Sequence, residues 1–416
     1  MTIHGARMRT EVNESIGAGR VSAWHPGWIT AVASVALCLL GLYTITLAGK
    51  IGKVSGESLA LRQGIFAGVG VLLAAGICIV NYRRLVHLVW PIALATVGLL
   101  LIPVLPGVPE SIVTPRNGAR RWIDLGPFDL QPAELGKIAY VILTAWYLRY
   151  RSNHRKFLGL IGPAVIALVP MVLIVIEPDL GTALLFVPMM LAMLVAAGAK
   201  LRHLFVACGL VGVAAVVVTV LSLHFAEEGK YPLLKRHQVV RIQALVEQVK
   251  GDTRHVQDRG FQGRQAQTLV GAGGLAGHSE ENSRSLVAFS GLPERHNDMI
   301  FAVIVNRFGL IGAASVMGLY VLWLFGALGA AWTCKDAFGR LLVVGLTTTV
   351  MIQALINMGE TMGVLPITGM TLPFVSYGGS SMITGWAMVG LIMSVAMRRP
   401  PYLWRKSFEY DSNDGE

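Results

Sequence analysis

Long apolar segments, separated by short polar connections, make up most of this chain. A helix needs roughly 20 apolar residues to cross a hydrocarbon core of about 30 Å. The pattern therefore predicts an all-α polytopic membrane protein with about ten transmembrane helices. The predicted spans lie near residues 28–48, 64–80, 85–105, 133–149, 160–176, 180–199, 203–223, 299–331, 341–357 and 381–397.

One polar stretch, residues 224–298, is much longer than the other connections. We predict that it forms a large extracytoplasmic loop between seven spans in residues 28–223 and three spans in residues 299–397. Residues 1–27 are predicted to be a cytoplasmic leader, because the apolar run that follows is too long for a signal-peptide core. Residues 398–416 are predicted to be a cytoplasmic tail.

The composition agrees with a membrane protein, since 54% of the 416 residues are hydrophobic and 14% are charged. If the spans alternate in direction, short basic segments such as Arg83-Arg84 and Arg398-Arg399 fall on the leader's side, as the positive-inside rule requires. The net charge of +11 then belongs mainly to an inner surface that faces anionic headgroups. We therefore expect no nucleic-acid partner. The four cysteines have no paired spacing, which excludes a disulfide framework or a zinc site.

The long loop has two organised parts. Residues 235–250 place their apolar side chains largely on one helical side, which predicts a helix on the membrane surface or one packed on the loop's own core. Further on, Gly271-Ala-Gly-Gly274 lacks the Lys-Ser/Thr of a phosphate-binding Walker loop. We predict that this part is a hinge or a close-packed backbone, in preference to a ligand contact.

Charged residues cluster before and at the start of the fourth span. Glu134 and Lys137 are three residues apart on a helix and share a face, so an ion pair at the membrane edge would explain them. Alternatively, Arg120, Arg121 or Lys137 binds an anion, because a guanidinium group matches phosphate oxygens with two parallel hydrogen bonds.

Two carboxylates, Glu177 and Asp179, lie in a turn so short that both must face the outer surface or a cavity that opens to it. Asp179 could simply cap the sixth span. No such local role suits Glu177.

Residues 363–381, which include Ser376, combine two prolines and several glycines with apolar side chains. We predict backbone that dips back into the membrane, which requires burial in protein or a wet cavity. A selectivity filter is disfavoured, because filters need several copies around an axis.

The polar loop ends in Leu292-Pro-Glu-Arg-His-Asn-Asp298, immediately before the eighth span. Asp298 or Asn297 could merely cap that span. However, Arg295 and His296 lie beside a carboxylate at an apolar boundary, where its pKa is expected to move away from about 3.9. We therefore predict a functional site around Asp298.

Five motifs occur in a characteristic order. They are Trp122-Ile, Gln131-Pro-Ala-Glu-Leu-Gly-Lys, Glu177-Pro-Asp-Leu-Gly-Thr, Leu292-Pro-Glu-Arg-His-Asn-Asp, and the segment from Leu365-Pro-Ile-Thr-Gly to Pro373-Phe-Val-Ser-Tyr-Gly-Gly-Ser-Ser. Over nearly the whole membrane region the chain thereby resembles the SEDS family of RodA-like and FtsW-like proteins. The resemblance slightly favours the elongation (RodA) type over the division (FtsW) type.

The resemblance implies a bacterial inner-membrane glycosyltransferase with ten spans. Such an enzyme polymerises lipid II into glycan strands for elongation or septation, with inversion, and releases undecaprenyl pyrophosphate. Its implied partners are a class B penicillin-binding protein and other membrane proteins of the elongasome or divisome. The family's catalytic aspartate corresponds to Asp298. Candidate substrate-binding residues are Arg121, Glu134, Lys137, Glu177, Asp179, Arg295, His296 and Ser376.

A lipid pyrophosphate is a good leaving group, so the reaction needs a general base more than a general acid. Asp298 suits that role, while Arg121, Lys137 and Arg295 could neutralise charge on the pyrophosphate. No cofactor is required on this account, although a divalent cation (Mg or Mn) could share that task, with its ligands left open.

Two departures from the family pattern are Asn297, where Thr is usual, and Val305-Asn306-Arg307, where paired acids are usual. The departures at Asn306 and Arg307 suggest an alternative, a non-catalytic scaffold for the penicillin-binding protein. The main rival hypothesis, from another class, is a flippase that moves lipid II between leaflets.

Overall fold

The computed structural model describes residues 25–49, 55–116, 119–126, 128–151, 153–227 and 259–398. These residues form twelve α-helices, three short 3-10 helices and one small sheet. The helices are α1 (Gly27–Leu47), α2 (Gly56–Ile79), α3 (Leu85–Leu101), α4 (Pro132–Leu148), α5 (Ile161–Ile176), α6 (Leu180–Ala196), α7 (Leu201–Glu227), α8 (Arg259–Ala272), α9 (Glu280–Phe289), α10 (Ile300–Thr333), α11 (Ala337–Thr361) and α12 (Gly379–Met397).

A helix occupies the position of every predicted span. Eight of these helices are long and apolar enough to cross a membrane, when α3 and α5 are counted together with the 3-10 turns that precede them. The other two, α4 and α6, have 17 residues each. The prediction of an all-α, multi-pass membrane protein is confirmed.

Helix starts follow local capping chemistry. Ser55 caps α2 by accepting a hydrogen bond from the Ser58 amide at 3.2 Å. Asp336 caps α11 through the Gly339 amide at 3.1 Å. These side chains satisfy amides that a helix leaves without internal partners.

The helices differ in how deeply they lie in the bundle. α12 is central: 83% of its most apolar 18-residue stretch is buried, and it packs mainly against α2. α7 is peripheral, because only 6% of the corresponding stretch is buried. α10 packs against α1 and α11, and α11 also contacts α4 and α6. The neighbours of α11 are therefore the helices whose ends carry the predicted site residues.

The connection between α3 and α4 contains a small antiparallel sheet that the sequence analysis did not predict. Its strands are β1 (Val113–Arg116), β2 (Ala119–Asp124) and β3 (Asp129–Leu130), in the order β1-β2-β3. The register between β1 and β2 shifts between Thr114 and Pro115. β2 carries the adjacent arginines of the motif, so a sheet, and not a flexible loop, positions Arg121.

α10 is broken at Gly309, which has φ +64°. A Cβ atom there would lie 2.3 Å from the Leu275 carbonyl oxygen, so only glycine fits. The freed amides of Leu310 and Ile311 donate to the carbonyls of Gly274 and Leu275 at 3.0 and 3.3 Å. The glycine-rich part of the long loop is thus a close-packed backbone, which is one of the two alternatives predicted for it.

The segment between α11 and α12 enters the bundle as irregular backbone. Met370 and residues 372–376 are buried, and Thr371 is half-buried. A Cβ at Gly41 of α1 would lie 2.4 Å from the Val375 carbonyl, which shows how closely the segment approaches that helix. Gln63 of α2 donates to the Ser376 carbonyl at 2.8 Å and accepts from the Gly378 amide at 3.1 Å. Much of the irregular backbone of this re-entrant segment is thus buried in protein, and its depth in the membrane stays a prediction.

The helix predicted for residues 235–250 lies outside the described residues. The described part of the long loop consists of α8 and α9, which pack on α10. Their contact is a separate apolar cluster, formed by Leu47, Ala266, Leu269, Val287, Leu292, Met299, Ala302 and Val303. This cluster packs α8 and α9 against the start of α10, next to residues 292–298.

Candidate active site

Asp298 lies at the entrance to α10, but it does not cap that helix. The N-cap position belongs to Met299, which makes no side-chain cap hydrogen bond. Asn297 uses its side-chain amide to donate to Glu294 at 2.7 Å. The alternative that Asp298 or Asn297 merely caps the eighth span is therefore wrong, because neither side chain turns back to the helix amides.

The Asp298 carboxylate is partly exposed, and none of the described residues donates a hydrogen bond to it. Gly369, with φ +83°, lies directly against it, since a Cβ at that position would be 3.3 Å from Asp298 Oδ2. The carboxylate is thus walled by backbone on one side and remains available for a proton on another.

The backbone around Asp298 is held by the re-entrant segment and by α11. Asn357 donates to the Asp298 carbonyl at 2.7 Å and to the Met370 carbonyl at 2.6 Å. Ser376 Oγ donates to the Asn297 carbonyl at 2.7 Å. The Tyr377 amide donates to the His296 carbonyl at 2.9 Å. Two segments that are distant in sequence therefore form one rigid unit.

Ser376 was predicted to bind substrate. In the structure it is buried, and its Oγ also accepts a hydrogen bond from the Leu372 amide at 2.7 Å. These contacts give Ser376 a structural task, and contact with substrate stays a prediction.

The environment of Asp298 opposes its ionisation. Burial raises the pKa of Asp298 to about 7, and the negative charges of Glu294, Glu360 and Asp179 add to the effect, while Arg121 opposes it. The sequence predicted a shift away from about 3.9 without a direction, and the structure gives an increase. A carboxyl group with a pKa near neutral pH can accept a proton and later release it, which is what a general base requires.

Glu177 and Asp179 have different surroundings although they are two residues apart. Asp179 caps α6, accepting from the Thr182 amide at 3.2 Å and from its hydroxyl at 2.9 Å, as predicted. Glu177 is buried, and neither of its carboxylate oxygens has a hydrogen-bond partner among the described residues. Burial, followed by the charge of Asp179, raises the pKa of Glu177 to about 8 despite the opposing charge of Arg121.

Arg121 connects the sheet to the turn between α5 and α6. It donates to the carbonyls of Glu177, at 3.0 Å, and Pro178, and its Nη1 lies 3.7 Å from Asp179 Oδ1. Its guanidinium is half-buried, and its charge acts on Asp298 and Glu177. Part of the hydrogen-bonding capacity of the Arg121 guanidinium is therefore already used by contacts within the protein.

Glu134 and Lys137 form the ion pair that was one of the two alternatives. Their side chains are buried, with Lys137 Nζ 2.8 Å from Glu134 Oε1 and 2.8 Å from Gln353 Oε1. Thr384 donates to the other Glu134 oxygen at 3.0 Å. Lys137 is 1% exposed, so an external anion could not reach it directly in this conformation.

Arg295 and His296 were predicted to lie beside the Asp298 carboxylate, but a hydrogen bond of Arg295 and a ring contact of His296 join them to other groups. Arg295 Nη1 donates to the Val287 carbonyl of α9 at 3.3 Å, and burial lowers the pKa of its guanidinium. Burial, assisted by the charge of Arg295, also lowers the pKa of His296 against the opposing effect of Glu294. The His296 ring lies 5.7 Å from the ring of Tyr377. The surroundings of His296 therefore favour its uncharged form.

The departures at Asn306 and Arg307 attach α8 and α9 to α10. Asn306 is fully buried, donates to the Leu269 carbonyl at 3.2 Å and accepts from Ser283 Oγ at 2.9 Å. Arg307 Nη1 donates to the His278 carbonyl at 2.7 Å. These contacts explain how polar residues can occupy this part of α10 without facing Asp298.

In the part of the chain that the structure describes, no three His, Cys, Asp or Glu side chains converge to hold a metal ion. The carboxylates around Asp298 therefore do not make a preformed cage. Mg²⁺ often binds through one or two carboxylates together with substrate phosphates, so the divalent cation stays a proposal.

Three polar residues of the site were missed from the sequence: Gln353, Asn357 and Glu360. All three are buried on α11. They are spaced by four and three residues, which places them on one face of an apolar helix. Polar side chains repeated on one face of an apolar span are a sequence signal that indicates such a site.

Comparison with known proteins places this architecture in a family. A sequence model of the FtsW, RodA and SpoVE family, whose description is cell cycle protein, matches residues 26–400. The chain belongs to this family, which confirms the SEDS resemblance.

Individual relatives agree. The chain is 31% identical to a probable peptidoglycan glycosyltransferase FtsW of Halothiobacillus neapolitanus, over 88% of this chain and 85% of the relative. It is 33% identical to stage V sporulation protein E of Bacillus subtilis, over 81% of this chain and 86% of the relative.

Two solved structures are also similar. One, described as showing structural coordination of polymerization and crosslinking by a peptidoglycan synthase complex, aligns with a TM-score of 0.72 and 29% identity, covering 89% of this chain and 97% of that one. The other is the rod shape determining protein RodA of Thermus thermophilus, with a TM-score of 0.62 and 26% identity, covering 91% of this chain and 98% of that one. Both the division type and the elongation type are among the relatives, and the slight preference for the elongation type stays a prediction.

Proposed function

We propose that this chain is a peptidoglycan glycosyltransferase that polymerises lipid II, with Asp298 as the general base. The observation that carries this proposal is the Asp298 carboxylate, which is partly exposed, receives no hydrogen bond from the described residues and has its pKa raised to about 7. The names of the relatives support the reaction class, since the FtsW relative is called a probable peptidoglycan glycosyltransferase.

In the proposed reaction, the ionised Asp298 takes the proton from an acceptor sugar hydroxyl. The hydroxyl oxygen attacks the anomeric carbon of the donor sugar and forms the new glycosidic bond. The bond from that carbon to the pyrophosphate oxygen breaks, and its electron pair leaves with undecaprenyl pyrophosphate. Attack from the side opposite the leaving group inverts the anomeric configuration.

Cationic groups near Asp298 would offset the charge that develops on the pyrophosphate. Arg121 is the best placed, because its charge already acts on Asp298. Arg295 is a second candidate, while Lys137 would act at longer range because Glu134 and Gln353 occupy its ammonium group. Glu177, Asp179, His296 and Ser376 would shape the surrounding cavity.

The proposed setting is the bacterial plasma membrane, with both chain ends in the cytoplasm and Asp298 facing outward. The basic connections support this orientation through the positive-inside rule. The proposed partner is a class B penicillin-binding protein within the elongasome or divisome, and similarity to a chain of a peptidoglycan synthase complex supports this choice.

Reconstitution with purified lipid II tests the proposal. The wild-type protein should produce long glycan strands, and Asp298→Asn should produce none above background, because the amide cannot act as a base. Glu281→Gln, an equivalent change at an exposed position of α9, is the matched control. Glycan formation by purified Asp298→Asn would eliminate Asp298 as the base.

The same assay separates the two rival functions. A flippase would move unpolymerised lipid between leaflets of a vesicle and leave no glycan. A scaffold would allow cells carrying only Asp298→Asn to grow, provided that the penicillin-binding protein is still recruited.

A further inference from the structure

Glu360 is a buried acid to which the reaction described above assigns no task. It is fully buried and is the second-to-last residue of α11. The C-terminal end of a helix carries partial negative charge, so a carboxylate is unfavourable there. A buried acid at this position is costly to keep.

Both carboxylate oxygens of Glu360 contact one turn of the re-entrant segment. Thr368 Oγ1 donates to Oε1, and the Gly369 amide donates to Oε2 at 3.4 Å. The turn of Thr368 and Gly369 is therefore attached to the last turn of α11.

The same turn lies against Asp298. Gly369 is the residue whose Cβ would be 3.3 Å from Asp298 Oδ2. On another side, a Cβ at Gly181 of α6 would be 2.8 Å from Thr368 Cβ, so α6 also limits the turn's position. Asn357, one helical turn before Glu360, holds the adjacent Met370 carbonyl at 2.6 Å. Glu360 thus acts on Asp298 through a turn that has little room to move.

We propose that Glu360 is a positioning residue for the base: its carboxylate holds the turn of Thr368 and Gly369 against Asp298, and in its ionised form it opposes the ionisation of that side chain. This inference rests on the proposed role of Asp298. The backbone of the turn closes one face of the base, and the nearby charge makes its ionisation less favourable.

Four charged groups from four different elements act on Asp298. Glu294 comes from the loop before α10, Glu360 from α11, Asp179 from the N-terminus of α6 and Arg121 from β2. After burial, the three acids raise the pKa of Asp298 and Arg121 lowers it. Removing the charge of Glu360 alone should therefore lower the pKa of Asp298.

Glu360→Gln removes the charge and keeps one of the two contacts, because its amide oxygen can still accept the Thr368 hydroxyl while its NH2 group replaces the oxygen that accepts from the Gly369 amide. We expect the acid limb of kcat/KM to move to lower pH by about one unit, the size of effect that one nearby charge produces. The Asp298 titration can also be followed without turnover. The infrared carboxyl band, taken as the difference between each protein and the same protein carrying Asp298→Asn, should show the same shift.

Thr368→Val tests the contact while keeping the charge. Without the hydrogen bond the turn is free to move from Asp298, and we expect kcat to fall by about tenfold or more, with little change in KM, because small misplacements of reacting groups are costly. The Asp298 titration should move less than in Glu360→Gln. Glu281→Gln should leave the titration and both kinetic constants unchanged.

An unshifted Asp298 infrared titration in folded Glu360→Gln would overturn the inference, as would a wild-type kcat in Thr368→Val. Neither result affects the assignment of Asp298 itself. Conversely, if Asp298→Asn still polymerised lipid II, the proposed function would fail while the infrared titration would still report whether Glu360 acts on Asp298.

Discussion

Two polar centres lie on successive turns of α11, and they differ in how their charges are satisfied. At the first, Gln353 joins the buried pair of Glu134 and Lys137, in which Nζ lies 2.8 Å from a carboxylate oxygen. At the second, Asn357 holds the backbone of Asp298, whose carboxylate receives no hydrogen bond from the described residues. An acid paired within the protein serves structure, whereas an acid left unpaired at a partly exposed position is available for chemistry.

The largest expected effect is on turnover at the unpaired centre. Asp298→Asn should reduce glycan synthesis by about 10²–10⁴-fold, the range typical of removing a general base. The folded protein should be at least as stable as the wild type near neutral pH, because the substitution removes an acid whose ionisation is unfavourable. Polymerisation and thermal unfolding of the same preparation measure both. A destabilised Asp298→Asn variant would mean that this acid is structural after all.

At the paired centre the expected loss is in stability. Lys137→Met leaves Glu134 buried without its cation, which should cost about 3–5 kcal/mol in the free energy of unfolding. The double variant Lys137→Met with Glu134→Gln should recover most of that loss, since no buried charge remains. Reversible unfolding in detergent and denaturant provides the measurement.

The exposed pair of Arg284 and Glu280 on α9, 3.2 Å apart, is the matched control. Arg284→Met should change stability by less than about 0.5 kcal/mol, because exposed pairs are screened by water. Equal losses at the two pairs would contradict the difference between buried and exposed charges.

The pH dependence of turnover should reveal the unpaired acid. Asp298 must be ionised to accept a proton, and its pKa is raised to about 7. Activity should therefore fall by about tenfold for each pH unit below 7, and level off above it. A rate that stayed constant down to pH 5 would show that no base with a raised pKa limits the reaction.

A last expected effect concerns Glu177. Its pKa is raised to about 8, so the folded protein keeps a proton that the unfolded chain has lost above about pH 4. Stability of the wild type should decline as the pH rises from about 4 to 8. Glu177→Gln, neutral throughout, should be more stable than the wild type by at least about 1 kcal/mol at pH 8. Parallel stability curves for the two proteins would argue against a buried neutral carboxyl group.

The fold was largely predictable because each membrane span must be long and apolar by itself. The positions of the ten predicted helices follow from that local requirement. The capping role of Asp179 is also local, because a side-chain oxygen at a helix start accepts from amides two or three residues ahead. The sheet containing Arg121 was missed, because its short strands carry no hydrophobic period long enough to detect. The break at Gly309 was missed because its cause, the carbonyl of Leu275, approaches from another part of the chain.

The motif residues could be found from the sequence, but their tasks could not. Lys137 and Arg121 are both cations in polar motifs, yet one is fully paired inside the bundle and the other connects β2 to a turn. Ser376 and Asp298 both lie in motifs, yet only the serine is used to fix backbone. Glu360 received no attention, because in sequence it is one acid near the end of a span.

By itself, the sequence determined the positions of the long apolar helices, the irregular segment between α11 and α12 and the presence of an acid at the entrance to α10, since these depend on local hydrophobicity and chain geometry. The tertiary structure decided which acids are paired and which are not. That distinction depends on contacts between residues such as Glu134 and Thr384, which are far apart along the chain, because ionisation is governed by burial and by charges in space.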